Sequence, residues 1–512
     1  MAAGTAKARD LSEGVAVEEF AATGMVDGVL GDEPILLVRT PAGFRAVGAL
    51  CTHNKAPLAK GVMVGDTIRC PWHHACFSAD TGNARAAPAF APLGRWAVEQ
   101  RGGRVFVGAK HPDGPVRPEA TREPIVVVGA GAAGAAAADA LCRLGAGSVT
   151  TLIGAEPEPP YDRTTLTKHF LSGQKGEEAL PLPMPDLAAR GVTVRLGTTV
   201  VAIHRDRGEI VLSDGTVLPY GKLILATGAE PRRLDVPGAD LPHVKVLRTA
   251  ADARAILAAA ETMPRVAVVG GAFIGMEAAA ALRDRGLEVA VISPDPQPLA
   301  KALGTALSDA VMAAHHKRGT TFRLGRSVQR IEPGRVTLDD GSEVPADLVV
   351  VGVGVSPRLA LAQAAGLTID EGVEVDEFLR TSDPAIFAVG DIARWPDPHG
   401  AGRVRVEHWA VAQRQGQIAA ANALGAALRY DAVPFFWTMH FDFSARAVGH
   451  AGKGDGVSVE GDPKGRDATI RFTRDGADTA TVTVERDKLA LEAELAMEER
   501  AGGSASLLPA GV

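Results

Sequence analysis

Ile125-Val-Val-Val-Gly129-Ala-Gly131-Ala-Ala-Gly134, running on through alanine-rich sequence to Leu141, decides how this chain folds. Four consecutive large apolar residues predict a buried strand, and the alanine-rich run predicts a helix behind a glycine turn. Glycines at this spacing let the backbone bend tightly and approach a pyrophosphate, which sits where the free N–H groups of the helix start point outward. A second strand, Ser148 to Ile153, follows, and Glu156 lies 22 residues past Gly134, a distance at which a carboxylate reaches an adenosine ribose. The competing reading of Glu156 is a solvated loop carboxylate. A second copy of the pattern runs Arg265-Val-Ala-Val-Val-Gly270-Gly-Ala-Phe-Ile-Gly275-Met-Glu277. Ala272 replaces its middle glycine, which permits the turn if the backbone angles there are ordinary. Two such units imply two dinucleotides, most simply a flavin and a nicotinamide, because a hydride donor needs an acceptor that can then release single electrons.

Upstream lie two short pairs, Cys51-Thr-His53 and Cys70-Pro-Trp-His73, separated by sixteen residues. They match a Rieske centre, in which two thiolates hold one iron and two imidazoles the other. Zinc is the competing metal, but its ligand pairs usually read Cys-x-x-Cys and His-x(3 to 5)-His, whereas each pair here mixes the two residue types. Pro57 and the run Cys70 to Phe77, followed by Asp80-Thr-Gly82, resemble the two cluster loops of Rieske domains. His74 stands where Rieske ferredoxins usually have Gly. The first loop also lacks the additional Cys of the respiratory proteins, which suggests the ferredoxin-type subclass. Cys76 reads as a packed thiol. Imidazoles exposed at the cluster edge would couple electron transfer to their own protonation.

At 512 residues the chain has material for three or four domains, and 46% hydrophobic with 22% charged residues is ordinary globular composition. A net charge of -7 without a long basic run disfavours nucleic acid as the main partner. Met1 to Phe20 has no apolar core of a signal peptide, and the Ile125 to Leu141 stretch reads as strand, turn and helix rather than a membrane span. Four Cys, two of them assigned to the cluster, fit a reducing cytoplasm.

Alternating runs such as Pro34 to Arg39, Phe44 to Val47 and Arg104 to Gly108 predict a small all-β module over 12–109. Residues 110–122 read as a Pro-rich linker. The expected remainder is an α/β FAD-binding domain over 123–244 and 368–430, an α/β NAD(P)-binding domain over 245–367, and a carboxy-terminal α+β domain over 431–512. In the last, Ala468 to Phe472 and Ala480 to Val484 read as strands, Leu489 to Arg500 as a helix, Gly449 to Gly461 as a loop and the final dozen residues as a frayed tail.

Pro160-Tyr-Asp-Arg163-Thr-Thr-Leu-Thr-Lys168 resembles the flavin loop Pro-Tyr-x-Arg-Pro-x-Leu-Ser-Lys of the ferredoxin reductases of oxygenase systems and of apoptosis-inducing factor, a branch of the pyridine nucleotide-disulfide oxidoreductases. With the cluster module in front, nearly the whole chain resembles apoptosis-inducing-factor-like Rieske flavoproteins. The resemblance implies that Arg163 and Lys168 touch FAD. It implies that Leu225-Ala-Thr227-Gly228 covers the flavin, that Asp391 of Ile386-Phe-Ala-Val-Gly390-Asp391 binds the ribityl chain, and that Val200 meets adenine. It also implies that Arg405-Val-Glu407-His408-Trp409 and Pro434-Phe-Phe-Trp437 line the isoalloxazine, and that Gly352, after the strand Leu348 to Val351, lies beside the nicotinamide. The family often places its ribose acid at the position of Ala155, one before Glu156. It pairs Lys168 with Glu277 beside flavin N5; a carboxylate would keep a buried Lys charged, and the bland alternative is two unrelated charges. Ser293, ending the strand after Val289, is neither the acid that suits NADH nor the Arg that suits NADPH, and with no Arg close behind it the reading leans to NADH.

Cys142 lacks a Cys partner and reads as core, while His315 and His316 read as cations suiting a helix carboxy terminus. The expected activity is an NAD(P)H-dependent flavoprotein reductase that feeds its fused cluster and then an external acceptor, as monomer or homodimer. Two alternatives compete: a redox-sensing, death-signalling flavoprotein, and an NAD(P)H oxidase or quinone reductase that ignores the cluster. A Rieske oxygenase would need a mononuclear iron site, and no Asp/Glu-x-x-His-x-x-x-x-His run supplies one.

Overall fold

Ile35, Leu36, Leu37 and Val38 are all buried although successive strand residues face opposite ways, so both faces of their sheet are covered. In the computed structural model, which describes residues 9–112, 121–400, 402–502 and 507–509, the strand Glu33–Thr40 belongs to a six-stranded antiparallel sheet. Ile35 and Leu37 pack with Leu11, Phe20 and Trp96 on one side. Leu36 and Val38 pack with the cluster loops and Ile68 and Phe77 of a four-stranded sheet on the other.

The strand Ile125–Val128 is buried throughout and occupies the centre of a five-stranded parallel sheet. Its edge strand, Ile386–Ala388, returns from beyond the second unit. That second unit repeats the plan: Arg265–Val269 lies third in a parallel sheet ordered Val244–Val246, Leu348–Val351, Arg265–Val269, Glu288–Ser293, Thr321–Leu324. Each central strand feeds a glycine turn and then a helix, Ala132–Arg143 or Phe273–Asp284. The carboxy-terminal part is a five-stranded antiparallel sheet covered by the helix Asp487–Arg500. The architecture is therefore a small all-β domain, two α/β dinucleotide-binding units and a terminal α+β layer.

Helix Trp409–Ala423 is buried along nearly its whole length, including Gln413, Arg414, Gln415 and Gln417. Small residues let it press against helix Ala132–Arg143: a Cβ on Gly416 would collide with the Ala133 carbonyl. Its polar side turns to the all-β module, whose Ala87 N–H donates to Gln417 Oε1 at 2.9 Å.

Three expectations change here. Within the stretch read as a loop, Gly456–Asp462 is an exposed edge strand paired with Asp467–Arg474. Of the tail, 503–506 and 510–512 lie outside the described residues, but Leu508 is not frayed: it is buried, its N–H donates to the Arg85 carbonyl at 2.9 Å, and its carbonyl accepts from Arg85 Nε at 3.0 Å. His315 is no surface cation at a helix end, since it is fully buried and burial pushes its pKa well below the ordinary value. Most of the linker, 113–120, lies outside the described residues. No helix among the described residues is long and apolar enough to cross a membrane.

Candidate functional site

The two cluster loops are built alike. Cys51 N–H donates to the Ala56 carbonyl at 2.9 Å and Cys70 N–H to the Ala75 carbonyl at 2.8 Å, while Lys55 N–H and His74 N–H reach back to the carbonyls of Cys51 and Cys70 at 2.9 and 3.2 Å. Closing each loop puts the fourth residue after the Cys in the left-handed region, φ 59° at Lys55 and 58° at His74. That geometry explains why Gly would suit position 74. His74 tolerates it because its ring is anchored: Nδ1 pairs with the Glu494 carboxylate and the ring stacks on Phe435 with centroids 3.9 Å apart.

The loops bring the Cys51 and Cys70 thiols into hydrogen-bond contact and the His53 and His73 rings to 4.9 Å, edge to face. His53 Nδ1 is buried without a hydrogen-bond partner, as suits a nitrogen that ligates a metal. Two thiols on one side and two imidazoles on the other fit a [2Fe-2S] group. The imidazoles are not exposed edges: His53 is 9% exposed and His73 is partly covered by Trp437, ring centroids 4.5 Å apart. The expectation of histidines open to solvent is thereby corrected, because the module docks with this edge against the carboxy-terminal sheet.

At the carboxy end of the central strand Ile125–Val128 opens a cavity of about 1000 Å³, enough for a dinucleotide. Gly129 has φ 112° and a Cβ there would strike the Ala226 carbonyl; a Cβ on Gly134 would strike the Gly129 carbonyl. Gly131, which caps the helix, faces open space, leaving room for a pyrophosphate. Glu156, Arg163, Lys168, Val200, Thr227, Gly228, Glu277, Gly390, Asp391, Glu407, His408 and Trp409 all line this cavity. The residues present fit FAD.

Along the rim runs a polar chain. The Glu156 carboxylate pairs with Arg163 and accepts from the Tyr161 hydroxyl at 2.6 Å; Arg163 donates to the Arg248 carbonyl at 3.0 Å, and Arg248 donates to Asp391 at 2.6 Å. Asp162 caps the helical turn that carries Arg163 and Lys168, accepting from Thr164 N–H at 2.8 Å. Lys168 Nζ lies 2.8 Å from Glu277 Oε2, both nearly buried, and Glu277 also accepts from Thr167 at 2.6 Å and Thr438 at 2.8 Å. Trp437 does not line the cavity. It stands between the two sites, its ring 5.8 Å from Lys168 Nζ and against His73.

In the second unit Gly270 has φ 126°, Gly275 packs on the Gly270 carbonyl and Gly352 on Gly275, while Ala272 has an ordinary φ of -90°. Ser293 is buried beneath Gly271. Folding brings Arg326 N–H to the Ser293 carbonyl at 3.1 Å, while its guanidinium is held by Asp340 at 2.7 Å.

Residues 123–416 match the pyridine nucleotide-disulphide oxidoreductase family, and residues 13–97 match the Rieske [2Fe-2S] domain. The chain belongs to the pyridine nucleotide-disulphide oxidoreductases. It is 41% identical over 346 residues to the anthranilate 1,2-dioxygenase system ferredoxin--NAD(+) reductase component of Burkholderia cepacia, covering 67% of this chain and 85% of that protein. It is 31% identical over 455 residues to human apoptosis-inducing factor 3, covering 85% of this chain and 75% of the relative. Among solved structures, the covalent putidaredoxin reductase-putidaredoxin complex superposes with a TM-score of 0.71 at 32% identity, over 74% of this chain and 94% of that one.

This oxidoreductase is thus an NAD(P)H-dependent FAD enzyme of the ferredoxin reductase type with a [2Fe-2S] centre of its own, and zinc falls away. Despite the family name, none of Cys51, Cys70, Cys76 and Cys142 is joined in a disulfide. Arg248 was invisible in the sequence because no motif surrounds it and only the fold brings it to the cavity, and Thr438, one past the Pro434 to Trp437 segment, gave no sign of reaching Glu277. Tyr161 was the exception, lying inside the quoted flavin loop.

Proposed function

We propose that the oxidoreductase moves electrons internally, from the flavin cavity through Trp437 to the cluster at His73, before an external acceptor collects them. When bound, FAD takes hydride from the nicotinamide and gives electrons up singly, and the cluster carries them one at a time. Lys168 and Glu277 position and polarise the flavin edge. Gly129, Gly131 and Gly134 cradle its pyrophosphate, Glu156, Arg163 and Asp391 orient its sugar and phosphate parts, and Gly270, Gly275 and Gly352 form the nicotinamide unit. Cys51, Cys70, His53 and His73 ligate the iron.

The observation that carries this reading is the position of Trp437, in contact with the His73 ring and close to Lys168. Docking supports it. Arg69 forms two hydrogen bonds to Glu498, at 3.1 and 2.8 Å, with both side chains at most 5% exposed. Arg414 donates to Glu494 at 2.8 Å and to the His74 carbonyl at 3.0 Å, and Arg446 to the Trp72 carbonyl at 3.2 Å. A carrier held this way does not wait for diffusion. Anaerobic titration with NADH and with NADPH, followed by visible absorbance and electron paramagnetic resonance, tests it. The cluster signal should grow with flavin reduction and without added carrier; a flavin that bleaches fully beside an oxidised cluster would contradict it.

A further inference from the structure

Behind Glu277, away from Lys168, buried side chains stand in a hydrogen-bonded file. Thr438 Oγ1 donates to Glu277 Oε1 at 2.8 Å and lies 3.1 Å from His440 Nε2. His440 Nδ1 is 3.3 Å from His315 Nε2, and His315 Nδ1 is 3.3 Å from Thr320 Oγ1. All five are buried. They come from helix Phe273–Asp284, strand Phe435–His440, the end of helix Thr305–Lys317 and the turn after it.

A single assignment of hydrogens satisfies every link. An ionised carboxylate only accepts, so the one Thr438 proton points to Glu277 and Thr438 accepts from His440 Nε2–H. His440 Nδ1 is then bare and accepts from His315 Nε2–H, and His315 Nδ1 accepts from the Thr320 hydroxyl. Every donor points toward Glu277. Neutral rings are required, and the surroundings impose them. Burial, reinforced by the Lys168 charge and opposed by a hydrogen bond with the Met276 backbone, pushes His440 down to about 3. Burial, then His440 and His316, push His315 well below its ordinary value. The other charges nearby are Arg318, Asp284 and Asp442, grouped at the outer end, where Arg318 covers Phe441.

Apolar residues would fill this space with no desolvation cost, so the polar file calls for a use. We propose that Glu277, Thr438, His440, His315 and Thr320 form a proton conduit between the Lys168–Glu277 pair and the surface turn at Gly319 and Thr321, whose residues are exposed. The proposal rests on the reading of that pair as flavin-facing. A hydride delivered beside the Lys168–Glu277 pair would add one negative charge there, and a proton arriving at the pair would offset it. The file is oriented to deliver one, each imidazole passing from the Nε2–H to the Nδ1–H tautomer, and it is then oriented for return. When the two electrons have left singly, the Glu277 proton goes back out and the proton of the hydride is released as well. In sum, each nicotinamide yields two electrons and one proton.

Stopped-flow reduction of the oxidised holoenzyme in weak buffer with a pH-indicator dye tests this. In the wild type, uptake of about one proton per flavin should accompany bleaching. In H440Q and H315Q, whose amides can hydrogen-bond but cannot exchange tautomers, bleaching should keep its rate while uptake lags by about a hundredfold. No uptake in the wild type, or uptake keeping pace in both variants, would overturn the conduit. Nitrogen-15 histidine spectra of the oxidised protein give a readout apart from turnover: His315 and His440 should both be neutral Nε2–H tautomers, and an imidazolium or Nδ1–H form at either would overturn it. K168A separates the two ideas, because slowed bleaching there keeps the reading of the pair, so that a missing uptake phase counts against the conduit alone.

Discussion

At the scale of single residues, Lys168 and His74 each make a sharp prediction. Lys168→Ala removes the cation that Glu277 holds at 2.8 Å. Flavin reduction by nicotinamide should slow by about a hundredfold while FAD is retained, measured by stopped-flow bleaching and by flavin content after dialysis; an unchanged rate would remove the residue from this role. His74 is a compromise between backbone and side chain. Its left-handed φ disfavours a side chain by about 1 kcal/mol, but the ring answers the buried Glu494, which Arg414 and His74 hold well below the usual carboxylate range against the opposing effect of burial. His74→Gly should keep the visible spectrum of the cluster yet lower stability by about 1–3 kcal/mol, because Glu494 loses a partner, as urea unfolding would show. A gain in stability would mean that the backbone strain dominates.

Among the elements, strand Phe435–His440 and helix Asp487–Arg500 hold the most consequence. His440 links stability to pH. An unfolded histidine titrates near 6.5 and buried His440 near 3, so between these values the unfolded chain binds more protons. Stability is therefore complete above pH 6.5 and declines as pH falls toward 3. The loss between pH 7 and pH 5 should be smaller in H440Q than in the wild type by about 2 kcal/mol, read from urea midpoints at both values; equal losses would contradict the assignment. On the helix, Glu498→Gln leaves Arg69 buried without its counter-charge and should cost about 3 kcal/mol, and proteolysis should then release the all-β module more readily. These elements also show what could be read in advance. Ile125–Val128 and its glycine turn were legible because a strand buried on both faces writes a continuous apolar run. Helix Trp409–Ala423 was not, because Gln413, Arg414, Gln415 and Gln417 read as solvated until the fold buries them, Gln415 on Gly390 and Arg414 and Gln417 on the cluster module. Gly456–Asp462 was likewise hidden: its short alternation, Val457-Ser458-Val459-Glu460, sits between glycines, and as an exposed edge strand it buries neither valine.

At the scale of the whole molecule, one chain carries both a [2Fe-2S] module and a flavin cavity. The ligand pairs and both glycine turns were readable locally, since each is a short motif whose chemistry depends on spacing. The contact between the sites was not, because it joins residue 73 to residue 437 through a packing of modules that no local pattern records. That packing sets Trp437 against the His73 ring, centroids 4.5 Å apart, with Lys168 Nζ 5.8 Å from the same indole. Trp437→Leu tests this most directly, in an anaerobic single turnover with NADH that follows flavin bleaching and cluster reduction together. Bleaching should keep its rate while cluster reduction slows severalfold; a cluster that fills as fast as in the wild type would contradict the internal route through Trp437.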